Sequence, residues 1–192
     1  RLANLLQRAC TAKNITFLSH NARVKMKEHD SHIPIASLAG HFISNVYDIP
    51  RHRSENYMKA DPERVAYWRK ELGLENKRVI GLSWISTAPT IGPHKSVGLE
   101  AMRPLFDIPN TVFINLQYGE EAHKQAEGFH PNLITTLVDT FLDLEGVAAL
   151  MELCDVIVSP SNANVHLAGA LGRPVMLLDA NKLWYWNNRM GY

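Results

Sequence analysis

The densest run of groups able to do chemistry lies between Ser159 and Pro174, where the chain reads Ser-Pro-Ser-Asn-Ala-Asn-Val-His-Leu-Ala-Gly-Ala-Leu-Gly-Arg-Pro. The apolar run Val156-Ile157-Val158 leads into this cluster of small polar residues. A helix of small residues follows, which Ser161 or Asn162 can cap and Gly172 can end, with Pro174 just beyond. Its first turn offers free N–H groups and a partial positive charge, a ready site for phosphate. His166, about one turn in, can face such a ligand; the alternative is a buried helix histidine satisfied by a backbone carbonyl. A second segment, residues 85–96, is about twice as long as the ~2–6 residues usual between a strand and a helix. It is rich in Gly, Pro and hydroxyls and carries Lys95 near its end. It reads either as an anion-contacting loop or as a mobile surface loop with a solvated lysine. In a third, Leu116-Gln117-Tyr118-Gly119-Glu120, Gln117 stands at a strand end and Gly119 lets the backbone turn or approach a ligand closely. A plain turn is the alternative there.

These segments need a scaffold, and the pattern after Arg78 supplies one. Short continuous apolar runs predict strands over 79–84, 111–116, 133–138, 156–159 and 174–178. Helical patterns fall between them, over 97–106 (interrupted at Pro104), 120–127, 145–154 and 163–171. Runs apolar at every position indicate burial on both faces, so the fold class is α/β, a Rossmann-like parallel sheet of about five strands. Ligands of such sheets bind outside the carboxyl ends of the strands, where all three segments lie. Before residue 77 the reading is sparser. Residues 2–10 resemble the end of a helix, 14–19 a strand, and Ser37 could cap a short helix within residues 32–45. Residues 47–60 read as a linker. Asp61-Pro62 starts a helix that Gly73 can end. The implied division is 1–48, the tail of an N-terminal domain; 49–76, linker and helix; and 77–192, the Rossmann-like domain. Arg1 in place of Met, inside a helical pattern, predicts a fragment of a longer protein.

Composition excludes several classes. The 20 basic and 19 acidic residues give a net charge of +1, so no global field draws in nucleic acid or an anionic membrane. No apolar run approaches the ~20 residues that span a bilayer. The cysteines, Cys10 and Cys154, match no metal spacing and need no oxidising compartment, so a cytoplasmic location is expected. There is no GxGxxG, Walker loop, zinc pattern or GxSxG elbow. His94, His123 and His130 are too scattered to argue for a metal. Trp184-Tyr185-Trp186 reads as packing or a domain contact.

The stretch from Val156 through His166 to Pro174 resembles the donor-site strand and helix of heptosyltransferase-like and O-GlcNAc-transferase-like glycosyltransferases, of the kind found behind tetratricopeptide repeats in bacterial proteins. Residues 32–38, Asp61-Pro62 with Trp68 and Leu72-Gly73, Gly81-Leu82-Ser83-Trp84, Lys95-Ser96 with Leu99, Leu116-Gln117 with Gly119, and Asp143 with Ala148-Ala149-Leu150 are similar to that family in the same order. The resemblance implies a GT-B fold, two Rossmann-like domains facing across a cleft, of which this chain carries the donor-binding half. It implies inverting sugar transfer from a nucleotide-sugar with no metal and no cofactor. Ser83, Trp84, Lys95, Gln117, Ser159, Ser161, Asn162, Asn164 and His166 would form the donor and phosphate site. Lys95 would neutralise the diphosphate. The family usually carries Asp-Thr where this chain has Ser161-Asn162, and Arg-Gly where it has Ile85-Ser86. The general base would lie upstream, the acceptor is unnamed, and the catalytic residues are not among these. The alternative is a degenerate, non-catalytic binding or scaffold module. The apolar positions Leu5, Phe17 and Ile35 of the incomplete first unit predict a homodimer, a swap, or packing on residues 184–186.

Overall fold

The computed structural model describes residues 2–19, 22, 29–45, 48, 56–135 and 137–178. Its centre is a five-stranded sheet of β1 (Arg78–Leu82), β2 (Thr111–Asn115), β3 (Leu133–Ile134), β4 (Val156–Pro160) and β5 (Val175–Leu178). Every pairing is parallel and the order is β3-β2-β1-β4-β5. The chain therefore moves outward in one direction from β1 to β3, then returns to β1's other edge to lay down β4. The two directions part between β1 and β4, and the crevice at such a reversal is where open α/β sheets bind ligands.

Successive strand residues point to opposite faces, and both faces are covered. Val79, Val112, Ile114 and Ile157 pack with Leu150, Met151 and Ala168. These last come from α6 (Leu144–Glu152) and α7 (Ala163–Ala170). Ile80, Leu82, Phe113 and Val158 pack on the other side with Met102, Phe106, Ala122 and Ala126. Those belong to a 3-10 segment (Glu100–Asp107) and α5 (Glu120–Ala126). The doubly wound α/β expectation is met. A Cβ at Gly81 would stand 2.5 Å from Leu116 Cδ1 and 3.1 Å from Cys154 Sγ, so glycine lets the strand's neighbours close over it.

Some boundaries differ from expectation for identifiable reasons. The helix expected over 97–106 is a 3-10 segment that contains Pro104, which has no N–H to donate and crowds the preceding turn. A separate helical turn, α4 (Gly92–Lys95), precedes it. The strand expected over 133–138 is two residues long, because β3 is an edge strand paired only through Phe113–Leu133 and Ile114–Ile134. No strand forms over 14–19. There Gln7 of α1 (Ala3–Ala9) takes the place of a sheet neighbour, donating to Ile15 O at 3.2 Å and accepting from Phe17 N at 3.0 Å. Ser37 is not a cap. It lies inside α2 (Ile35–Leu38), whose N-cap position is Pro34. Leu5, predicted to find its cover in a second copy or on residues 184–186, is fully buried within the chain in the cluster that includes Leu150 and Ile157. Ile35 and Phe42 remain 86% and 65% exposed. Residues 184–186 lie outside the described residues, as do 47 and 49–55 of the expected linker.

The helix starting at Asp61-Pro62 forms as expected. It is α3 (Pro62–Leu72), with the Asp61 carboxylate accepting from the N–H groups of Glu63 and Arg64 and Gly73 left-handed at φ 52°. Arg64 then reaches across to Asp143, the N-cap of α6, which also accepts from Gly146 N at 2.9 Å. Arg64 holds the Asp143 carboxyl below its usual value, the Gly146 N–H adds to this, and burial opposes it. A depressed folded pKa means that the pair stabilises above the unfolded value of 3.8 and that this contribution is lost as pH falls through the lower folded value. Both side chains are about one-third exposed, so screening holds the contribution to about 1 kcal/mol or less. Asp143→Asn, which retains a cap acceptor, is expected to narrow the difference in urea midpoint between pH 7 and pH 3. An unchanged difference would contradict the assignment.

Candidate functional site

The loops leaving β1 and β4 meet over the reversal in strand order. After β1 the chain makes a closed loop. Trp84 O accepts from Val97 N at 3.0 Å and Gly98 N at 3.4 Å. Ser96 Oγ accepts from Ser86 N at 3.1 Å and donates to Gly92 O at 2.8 Å. Between these ties, Gly92 is pressed against Ser86, and α4 turns Lys95 inward. Lys95 is only 8% exposed, and no ion pair or hydrogen bond reaches it among the described residues. A lysine covered to that extent ordinarily has a partner. Its electrostatic neighbour among the described residues is another base, His166. Partial desolvation by its surroundings chiefly, and the Lys95 charge secondarily, push the His166 pKa below its usual value, which favours the neutral imidazole. His166 lies on the exposed side of α7 rather than in the core.

The remaining groups are neutral. Ser83, Ser159 and Gln117 are fully buried, and Ser161, Asn162 and Asn164 nearly so. Asn162 is the N-cap of α7, its Oδ1 accepting from Asn164 N at 2.9 Å and from Ser159 Oγ at 3.1 Å. Its Nδ2 donates to Ser83 Oγ at 2.8 Å and to Ile85 O at 3.3 Å. Asn164 Nδ2 donates to Leu116 O at 2.8 Å. Gln117 Oε1 accepts from Ser83 Oγ, Trp84 N and Ile85 N, each at 2.8 Å, and its Nε2 donates to Tyr118 O at 3.0 Å. The Gln117 oxygen is thus committed to holding the β1 loop. The Trp84 ring is fully buried in the core, with its Nε1 donating to Gln125 Oε1 at 3.1 Å. All nine sequence-predicted residues sit at the carboxyl ends of β1, β2 and β4 or in the segments that leave them. Within that group Lys95 and His166 carry the ionisable side chains.

Sequence reasoning missed two contributors. Asn115 Oδ1 accepts from Gln117 N at 2.8 Å, while its buried Nδ2 has no partner. A polar residue closing the apolar run Val112-Phe113-Ile114 is the signal that could have found it. Thr140 Oγ1 donates to Gln117 O at 2.9 Å and lies 3.2 Å from His123 Nε2. With its one proton given to Gln117, Thr140 accepts from His123, so Nε2 bears the imidazole proton. The buried His123 Nδ1 has no partner. No local pattern announces Thr140. Among the described residues no group of three His, Cys, Asp or Glu side chains is placed to hold a metal, and no helix is long and apolar enough to cross a membrane. A groove of about 640 Å³ lined by Lys59, Val65, Arg69 and Glu152 touches none of the site residues.

No protein-family model matches the chain. Protein FlbA of Caulobacter vibrioides is 32% identical over 138 residues, which is 67% of this chain and 22% of FlbA. The chain thus spans about a fifth of the length of that curated relative. Among solved structures, the Escherichia coli ADP-heptose lipopolysaccharide heptosyltransferase II aligns at TM-score 0.48 and 16% identity, over 62% of this chain and 38% of that one. Anabaena HepE in complex with UDP-glucose aligns at 0.39 and 22%, over 62% and 34%. The fucosyltransferase NodZ from Bradyrhizobium aligns at 0.43 and 17%, over 71% and 50%. The chain is similar, over 62–71% of its length, to solved heptosyltransferase and fucosyltransferase structures of GT-B type.

Proposed function

We propose that this chain is the donor-binding portion of a glycosyltransferase-like protein, holding the diphosphate of a nucleotide-sugar between Lys95 and the start of α7. The observation that carries the reading is Lys95 itself, a lysine only 8% exposed that meets no counter-charge among the described residues, at the crevice between β1 and β4. A diphosphate supplies the missing negative charge, and the α7 N-terminus adds a partial positive one. In transfer, negative charge grows on the departing diphosphate. A fixed ammonium and fixed N–H dipoles stabilise that charge without reorganising, which is work a metal does elsewhere. The reading is of inverting transfer without a metal. His166, neutral while the site is empty, gains an anionic neighbour on binding and a reason to protonate. The general base and the acceptor surface belong to other parts of the protein, so this portion alone is expected to bind without turning over.

Titration with UDP, ADP and GDP, followed by calorimetry and by amide shifts, tests this. Binding at millimolar concentration or tighter is expected, with shifts at residues 83–97 and 159–167. Lys95→Ala is expected to weaken it roughly tenfold, the scale of one charge-assisted contact. If no nucleotide binds, or shifts fall elsewhere, the donor-site reading is overturned. The non-catalytic scaffold module, which the neutral Ser161-Asn162 pair favours, then takes its place.

A further inference from the structure

We propose that Asn162 is the positioning residue of this site, the side chain that fixes the Lys95 loop relative to the start of α7; the inference rests on the anion-site reading above. The hydrogen-bond directions admit one assignment. Two backbone donors, Trp84 N and Ile85 N, require the acceptor atom of Gln117 to be its oxygen. Ser83 must then give its single proton to Gln117, and so it can only accept from Asn162. Asn164 N likewise requires the capping atom of Asn162 to be its oxygen, which leaves Nδ2 to face Ser83 and Ile85 O. The result is a directed chain, Asn162 to Ser83 to Gln117, closed by the two backbone donors of the loop.

The loop carries the constraint onward to Lys95. Trp84, held at its N–H by Gln117, accepts at its carbonyl from Val97 N, two residues past Lys95. Ser86 is tied to Ser96 on the near side. The same Asn162 caps α7 with its other atom. One amide therefore sets both halves of the anion site, because it accepts at the helix with one atom and donates to the loop with the other. A serine or threonine at 162 would retain the cap and lose the span; an aspartate would retain the shape and present a carboxylate to the Ile85 carbonyl. All of this chain lies buried, where a missing donor is felt most.

The test uses Asn162→Ser, which preserves a cap oxygen, in wild-type and Lys95→Ala backgrounds. Without nucleotide, amide exchange at Trp84, Ile85 and Val97 is expected to quicken roughly 3- to 10-fold, the worth of one lost buried hydrogen bond. Nucleotide affinity is expected to fall by a similar factor. In the double variant the two losses are expected to combine to less than their product, because a lysine already displaced has less to lose. Unchanged exchange overturns the proposal, as does a double-mutant cycle in which the two factors simply multiply. If the wild type binds no nucleotide, the site reading falls and the positioning role with it, and faster exchange then marks Asn162 as a structural bridge only. Asn162→Asp serves should the serine variant fail to fold. Its exchange relative to wild type at the same pH is expected to be faster at high pH and to approach the wild-type rate as the carboxyl protonates and regains a donor; a ratio that does not change with pH counts against the bridge.

Discussion

Leu5→Ala is expected to destabilise the α/β unit by about 2–4 kcal/mol, the range for a buried leucine whose cavity cannot collapse. Leu5 is fully buried with residues of β2, β4, α6 and α7, although some 70 residues separate it from β1. Arg8, one turn later, clamps α1 in place. It pairs with Glu145 on both carboxylate oxygens and donates to Lys59 O at 2.8 Å. The measurement is the urea midpoint, with the slope unchanged. Ile35→Ala is the control: Ile35 is 86% exposed, and its truncation is expected to shift stability by less than about 0.5 kcal/mol. Equal effects at the two positions, or none at Leu5, would mean that α1 does not belong to the α/β core.

That contrast also shows what sequence alone could not separate. Leu5 and Ile35 are both apolar residues in short helices. Periodicity marks such positions as wanting cover, but it does not say which element supplies it. The strands were legible for the opposite reason. Val112-Phe113-Ile114 and Val156-Ile157-Val158 are apolar at every position, so both faces had to be covered whatever the topology. The caps at Asp61 and Gly73 are local chemistry and were read directly. Residues 14–19 carry an apolar pattern, yet a strand needs a neighbour, and Gln7 occupies that place.

The candidate site divides along the same line. Its location followed from alternation of strands and helices, and the residue types followed from the strand ends. The assignment of roles did not. Gln117 gathers donors from residues 83, 84 and 85, more than 30 positions upstream, and nothing near Gln117 in the chain signals that convergence. Lys95 could be read as solvated or buried, because its burial depends on a turn whose tightness comes from a contact between Gly92 and Ser86. Thr140, in a loop after an edge strand, carries no periodic signal at all.

That turn yields the second large effect. A Cβ at Gly92 would collide with the Ser86 carbonyl oxygen and crowd the carbonyl carbon at 3.1 Å. The obstacle is backbone, so no rotamer change relieves it. Ser86 is held by Ser96 Oγ on one side and follows Ile85, which Gln117 grips, on the other. Gly92 itself is bonded through its N–H to Ala88 O and through its carbonyl to Ser96. With both partners anchored, Gly92→Ala must either strain the core or open the loop. Overpacking against fixed backbone is expected to cost about 3 kcal/mol of stability. Opening the loop would release Lys95 from its packed position, and a mobile ammonium draws less on a diphosphate than one held in place. Nucleotide affinity is therefore expected to fall at least as far as in Lys95→Ala, roughly tenfold, and adding Lys95→Ala to Gly92→Ala is expected to change it little. Thermal unfolding and nucleotide titration of the single and double variants measure both effects. A Gly92→Ala chain with wild-type stability and wild-type affinity would mean that the Lys95 turn is not held shut by this contact and that the buried cation is not what the site presents to an anion.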